Sequence, residues 1–230
     1  MTSDAVPGAS PRARFREMMR DDILAAARQI MQTGGYPALS MRALAEAVGV
    51  RAPTLYDYFA SKEDVMNAVF MQGVELLANH FQGQLESTEP GLERLVRIGI
   101  VYRQFGIENP DLYQLLFAKL DQSFVPGDEQ RTASKGLFEA LRSHVVDALE
   151  IGALRPNDPD FVALSIWSAA HGYVTLELMG YVDTCTPVSL GDQYERFLSS
   201  ILFGLAAPKS VEQPSPAKPG VPASQSPAGE

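Results

Sequence analysis

The chain has 230 residues, 46% of them apolar, enough to bury a sizeable core and too apolar to be broadly disordered. Its single cysteine, Cys185, excludes an internal disulfide framework, and His80, His144 and His171 are too scattered to form a zinc motif. The formal charge of −9 argues against a phosphate-binding chain only if it is spread evenly, and it is not.

Residues 1–11 are small and polar with two prolines and are expected to be disordered. From there the apolar period is helical. Phe15, Met19, Ile23, Ala26, Ala27 and Ile30 form one stripe, which Gly34-Gly35 should end. Ser40 suits the N-cap of a short helix with Met41, Leu44, Ala45 and Val48 on one side, stopped by Gly49. Pro53 fits the first turn of a third helix reaching about Tyr58. Ser61-x-x-Asp64 resembles a capping box opening a long fourth helix.

Further helices are predicted from about Gly91 to Ile107, from Asn109-Pro110 through Tyr113, Leu116, Phe117 and Leu120, and from about Gln130 to Ile151. Two more run from Asp158-Pro159 to about Tyr181 and from about Leu190 to Leu205. No segment alternates with the period of a strand. Residues 207–230, rich in Pro, Ser, Ala and Gly, read as a flexible tail. The expected fold class is all-α, in which a three-helix head (12–60) is joined by a long helix to a larger helical body (61–206).

Three helices with Gly49 between the last two fit a helix-turn-helix. Val48, Val50 and Leu55 would lock the short helices against the first. The opposite face of helix three then offers Arg51, Ala52, Thr54, Tyr56 and Tyr58, small, hydroxyl and charged groups suited to base edges and phosphates. Ser40, Met41, Arg42 and Lys62 are expected beside them, and the helix starts near Ser40 and Ser61 offer free N–H groups to phosphate. Arg12, Arg14 and Arg16 are candidates for an arm in a flanking groove. Charge agrees: residues 11–66 hold eight Arg and Lys against seven Asp and Glu, and residues 67–206 nine against eighteen. Free charges beyond ~8–10 Å are largely screened, so the acidic body weighs little on the head.

The stretch from Ile23 to Phe70 resembles the DNA-binding head of the TetR/AcrR family. The resemblance rests on Ser40, Gly49-Val50, Thr54-Leu55-Tyr56, Tyr58-Phe59 and Ser61-Lys62-Glu63. Ala52-Pro53 and the acidic Asp57 depart from the common pattern. The resemblance implies a body that dimerises and binds a small molecule. Trp167-x-x-x-His171-Gly172 is similar to the body type named for its Trp-His-Gly motif. Trp167 and His171 share a helix face, and Gly172 would let another helix pack closely.

Tyr102, Phe105, Phe117, Phe138, Trp167 and His171 are the expected ligand contacts, with Tyr113 and Tyr173 as further aromatics, around an apolar or amphipathic effector. Tyr194, Phe197, Leu198, Ile201, Leu202 and Leu205 form a broad stripe, so the last two helices (about 159–181 and 190–205) are expected to make a homodimer.

The function expected is a ligand-responsive regulator that binds double-stranded operator DNA, read as a repressor. An activator of the same fold, or a helical ligand-binding protein without DNA binding, are the alternatives. No nucleophile–base pair, phosphate loop or metal cluster supports an enzyme, and no cofactor or metal is expected. No run reaches the ~18–20 apolar residues of a membrane span, and the N-terminus lacks a signal-peptide core, so a cytoplasmic protein without membrane contact is expected.

Overall fold

The computed structural model describes residues 10–85, 88–117, 126–185 and 190–207. Helix α1 (Pro11–Ala38) begins where Ser10 Oγ accepts from Ala13 N, so Ser10 and Pro11, expected in a disordered segment, open the helix instead, and residues 1–9 lie outside the described residues. Its axis breaks at Gly35 (φ 69°), and a last turn carries on past the predicted stop. Ile23, Leu24, Ala27 and Met31 face the core. Phe15, placed in that stripe by its spacing, is 61% exposed on the first turns of α1.

Helix α2 (Met41–Ala47) is capped by Ser40 Oγ, which accepts from Ala43 N at 3.1 Å. Gly49 at φ 71° makes the turn into α3 (Ala52–Tyr56). A side chain would be strained there. Ser61 Oγ accepts from Asp64 N and starts α4 (Lys62–Leu85), whose 24 residues run from head to far end, about 36 Å.

The body adds α5 (Leu92–Glu108), α6 (Pro110–Phe117), α7 (Asp128–Glu150) and α8 (Pro159–Leu178), then a short α9 (Tyr181–Cys185) and α10 (Leu190–Leu205). The helix predicted to reach Tyr181 ends three residues early, because Gly180 at φ 75° interrupts it before α9. Leu120 and residues 208–230 lie outside the described residues. Arg155 N donates to Leu205 O and Ala207 N to Ala153 O, which pins the end of α10 beside the α7–α8 loop.

One buried cluster runs from Ile23 and Leu55 in the head through Val69 and Phe105 to Tyr194 and Leu198. A second fills the far end around Leu95, Val145, Leu154 and Leu202. The dimer stripe read on α10 is therefore corrected in part. Tyr194, Leu198 and Leu202 are buried in their own body, since an apolar face says nothing about what covers it.

The tightest approaches between helices fall on α5. A Cβ at Gly106 would sit 2.9 Å from Val174 Cγ1 and 3.0 Å from Tyr113 Cδ2. Gly172, expected to admit a neighbouring helix, has open space where a Cβ would be.

Candidate nucleic-acid interface and internal cavity

The head holds α3 by its inner side. Leu55 and Phe59 are buried, and Val48 and Val50 pack against the same cluster. The outer side is left free: Arg51, Ala52, Thr54 and Tyr56 are exposed, Tyr56 by 52%. Ser40 and Arg42 are exposed beside them, while Met41 and Tyr58 are half-buried.

The end of α3 is held from a distance. Arg16 Nη2 donates to Asp57 O at 3.0 Å, and Arg20 Nη1 to Tyr58 O at 2.8 Å. Both carbonyls lie just past the last helical residue of α3, Tyr56. Arg20 also lies 4.2 Å above the Phe59 ring, and Arg16 5.6 Å above Tyr58. The sequence reading put Arg16 in a free arm. It is a strut instead, while Arg12 and Arg14 stand exposed on the first turn of α1. Lys62, expected on phosphate, has its Nζ 3.8 Å over the Tyr36 ring and 3.4 Å from Tyr36 O. The hydroxyls of Ser40 and Ser61 are spent on their own helices.

Inside the body, α4 to α8 enclose a cavity of about 210 Å³. Tyr102, Phe117, Phe138 and Trp167 line it, as expected. Phe105 does not; it is fully buried and stacks edge-on against His80. His171 lies behind the wall. Its Nδ1 is 2.7 Å from Tyr113 Oη and 3.1 Å from Tyr102 Oη, and Trp167 Nε1 donates to Tyr102 Oη at 3.4 Å. Burial lowers the basicity of His171, leaving a neutral imidazole at pH 7. Burial, then the neighbouring Tyr113, keeps the Tyr102 phenol protonated far above its ordinary range.

Sequence reasoning missed Ser134, Leu141 and His144, which also line the cavity. The signal was present: with Phe138 they recur at three- and four-residue spacing on one face of α7.

Helix α6 joins cavity to head. Its Phe117 faces the cavity, and its Asp111, 7% exposed, faces α1. Asp111 Oδ2 accepts from Arg28 Nε at 2.8 Å, and Oδ1 from Gln32 Nε2 at 2.9 Å and Arg28 Nη2 at 3.3 Å. Arg28 Nη2 also donates to Asn109 Oδ1 at 3.1 Å. Burial alone would raise the Asp111 carboxyl; the hydrogen bonds and charge of Arg28, with Gln32, bring it below its ordinary value.

Residues 23–69 match the model for bacterial regulatory proteins of the tetR family, and residues 95–201 match the tetracyclin repressor-like C-terminal domain. The chain belongs to the TetR family.

It is therefore a DNA-binding transcriptional regulator and not an enzyme. An HTH-type transcriptional regulator of Mycobacterium tuberculosis is 28% identical over 177 residues, 74% of this chain and 75% of that one. The HTH-type transcriptional activator FasR of Mycolicibacterium smegmatis is 27% identical over 162 residues, 68% of this chain and 73% of that one. A solved protein of unknown function from Rhodococcus sp. RHA1 superposes with TM-score 0.73 at 20% identity, covering 89% of this chain and all of that one. That likeness concerns the fold alone.

One more surface of this TetR-family regulator stands out. On α8, Phe161, Leu164 and Leu176, with Met179 at its C-cap, are exposed along one line that also contains Gly172. Phe203 on α10 is 82% exposed. Among the described residues, no helix is long and apolar enough to cross a membrane.

Proposed function

We propose that this TetR-family protein is a homodimeric cytoplasmic repressor, released from its operator by a small apolar or amphipathic effector bound in the body. The reader is the outer face of α3, where Arg51, Ala52, Thr54 and Tyr56 stand free over a buried Leu55 and Phe59. Tyr58, Ser40, Met41 and Arg42 flank it, and Lys62 joins only by leaving Tyr36. The unit spanning 12–60 reads DNA and 61–206 senses ligand and dimerises.

The observation that supports control by ligand is α6, which carries a cavity wall residue, Phe117, and the Asp111 anchor to α1 on eight residues. An effector that prefers one setting of α6 and α4 moves the heads; one that binds both settings equally moves nothing. The dimer forms through the outward face of α8 with α10, placing two α3 helices one DNA turn apart, about 34–36 Å. Activation is a second reading, favoured by the relative FasR, which is named an activator.

Gel shifts on operator fragments test the reader. Arg51→Ala and Tyr56→Ala should each weaken binding by about tenfold, the loss of ~1–3 kcal/mol of contact, with unchanged melting temperature. Wild-type affinity in both variants removes α3 as the reader.

A further inference from the structure

The wall of the internal cavity is built from two kinds of apolar surface. Tyr102, Phe117, Phe138 and Trp167 bring aromatic rings to it, and leucines and isoleucines of α4 to α8 complete it. The rings brace one another. Trp167 lies 6.2 Å from Phe117 and 6.1 Å from Phe138 between ring centres, and Tyr102 lies 5.4 Å from Phe117.

The polar groups on this wall are spent within the protein. Trp167 Nε1 donates to Tyr102 Oη, and the Tyr102 hydroxyl in turn meets Tyr113 Oη and His171 Nδ1. Ser134 Oγ donates to Gln130 O at 2.9 Å, and Gly99 O accepts from Tyr194 Oη at 2.9 Å. His144 also lines the void, but its unpartnered Nδ1 is sealed off and lies 3.9 Å from Asp147 Oδ2. Burial lowers the basicity of that ring, so it stays uncharged at pH 7.

Among the described residues, no Asp, Glu, Lys or Arg lines the cavity. A charge brought inside sheds its water and meets no opposite charge there, which is the costly case. Volume sets a scale as well. A cavity of about 150 Å³ lined by Leu, Ile and Phe holds one benzene. At about 210 Å³, this one has room in proportion for roughly eight or nine carbon atoms.

We propose that the cavity takes an uncharged, hydrocarbon-like molecule of roughly eight or nine carbons, held among Phe117, Phe138 and Trp167. This rests on the reading of the cavity as the effector site and narrows it, because it excludes the acids and amines that an amphipathic effector could include.

Trp167 is the single tryptophan and stands in the wall, so its emission reports occupancy of the cavity. It is excited at the red edge of its absorption, where benzene rings are transparent. Full-length protein is titrated at pH 7.5 with propylbenzene, 3-phenylpropanoate and 3-phenylpropylammonium, nearly one shape in neutral, anionic and cationic form. Propylbenzene should bind about tenfold or more tighter than either ion, the burial cost of a charge expressed as affinity. Toluene and pentylbenzene give the size. Affinity should rise from toluene to propylbenzene by about fourfold per carbon, the transfer of one methylene, and then level off. Ala170→Leu, which fills part of the void, should weaken propylbenzene about tenfold with helicity retained.

Equal binding of propylbenzene and either ion by wild type overturns the uncharged assignment and leaves the effector cavity standing. Affinity that keeps climbing by the same factor to pentylbenzene overturns the size. Propylbenzene affinity untouched in Ala170→Leu overturns the seat among these rings. No saturable change with any ligand overturns the effector reading as well. Should the leucine variant fail to fold, the ligand series against wild type still decides.

Discussion

Breaking the clamp between α1 and α6 should expose an asymmetry that the two side chains' surroundings dictate. The carboxylate of Asp111 is fully buried, while Arg28 keeps 26% of its side chain in solvent. Arg28→Met strands a buried charge with Gln32 as its remaining side-chain donor, which should cost about 3–5 kcal/mol. Asp111→Asn strands a cation that water can still reach. Its amide oxygen can replace one carboxylate oxygen for Arg28, but its amide nitrogen then faces the donor nitrogen of Gln32. The expected cost is smaller, about 2 kcal/mol.

The double variant should lose less than the two single costs combined, with a coupling of about 2 kcal/mol, because the second change removes a group already without its partner. Urea unfolding at pH 7.5, followed by far-ultraviolet dichroism with a shared slope, supplies all four corners. A coupling under about 0.5 kcal/mol, or Asp111→Asn costing more than Arg28→Met, refutes the account of this clamp.

Two further outcomes are expected. Leu164→Asp on the outward face of α8 should convert the dimer to monomer by light scattering and weaken operator binding, with helicity retained; an unchanged mass removes this face from the interface. Acidification should destabilise the fold. His171 and His144 are held below their ordinary basicity, so below about pH 6.5 the unfolded chain takes up protons that the fold refuses. Asp111, lowered in turn, contributes stability that is complete above about pH 4 and is lost below it. The melting temperature should be flat near pH 8 and fall steadily from 6.5 downward; a rise between pH 7 and 5.5 contradicts the histidine assignment.

The head was legible because its signals are local. A serine three residues before the amide it caps, a glycine at a left-handed turn and a leucine facing inward on α3 can each be read from neighbours in sequence. The struts were not legible. Arg16 and Arg20 meet α3 across 41 and 38 residues, and no pattern near either arginine names its partner. In the body, spacing identified apolar faces without saying what would cover them. Tyr194, Leu198 and Leu202 turned inward, and the exposed line fell to α8. His171 was placed among ligand contacts by the helix face it shares with Trp167 and the aromatics around it, yet two tyrosines already occupy it. His144 was passed over although it repeats at three- and four-residue spacing with Ser134, Phe138 and Leu141 on α7, because a polar residue on a charged helix was not weighed as part of that face.

The stitching of Ala207 to Ala153 fixes where residue 207 sits on the molecule. That point lies beside the second buried cluster, at the opposite pole from α3 and the full length of α4 away. A fluorescent label attached beside it would thus stand clear of the operator-reading face, and the regulator could be followed on its promoter.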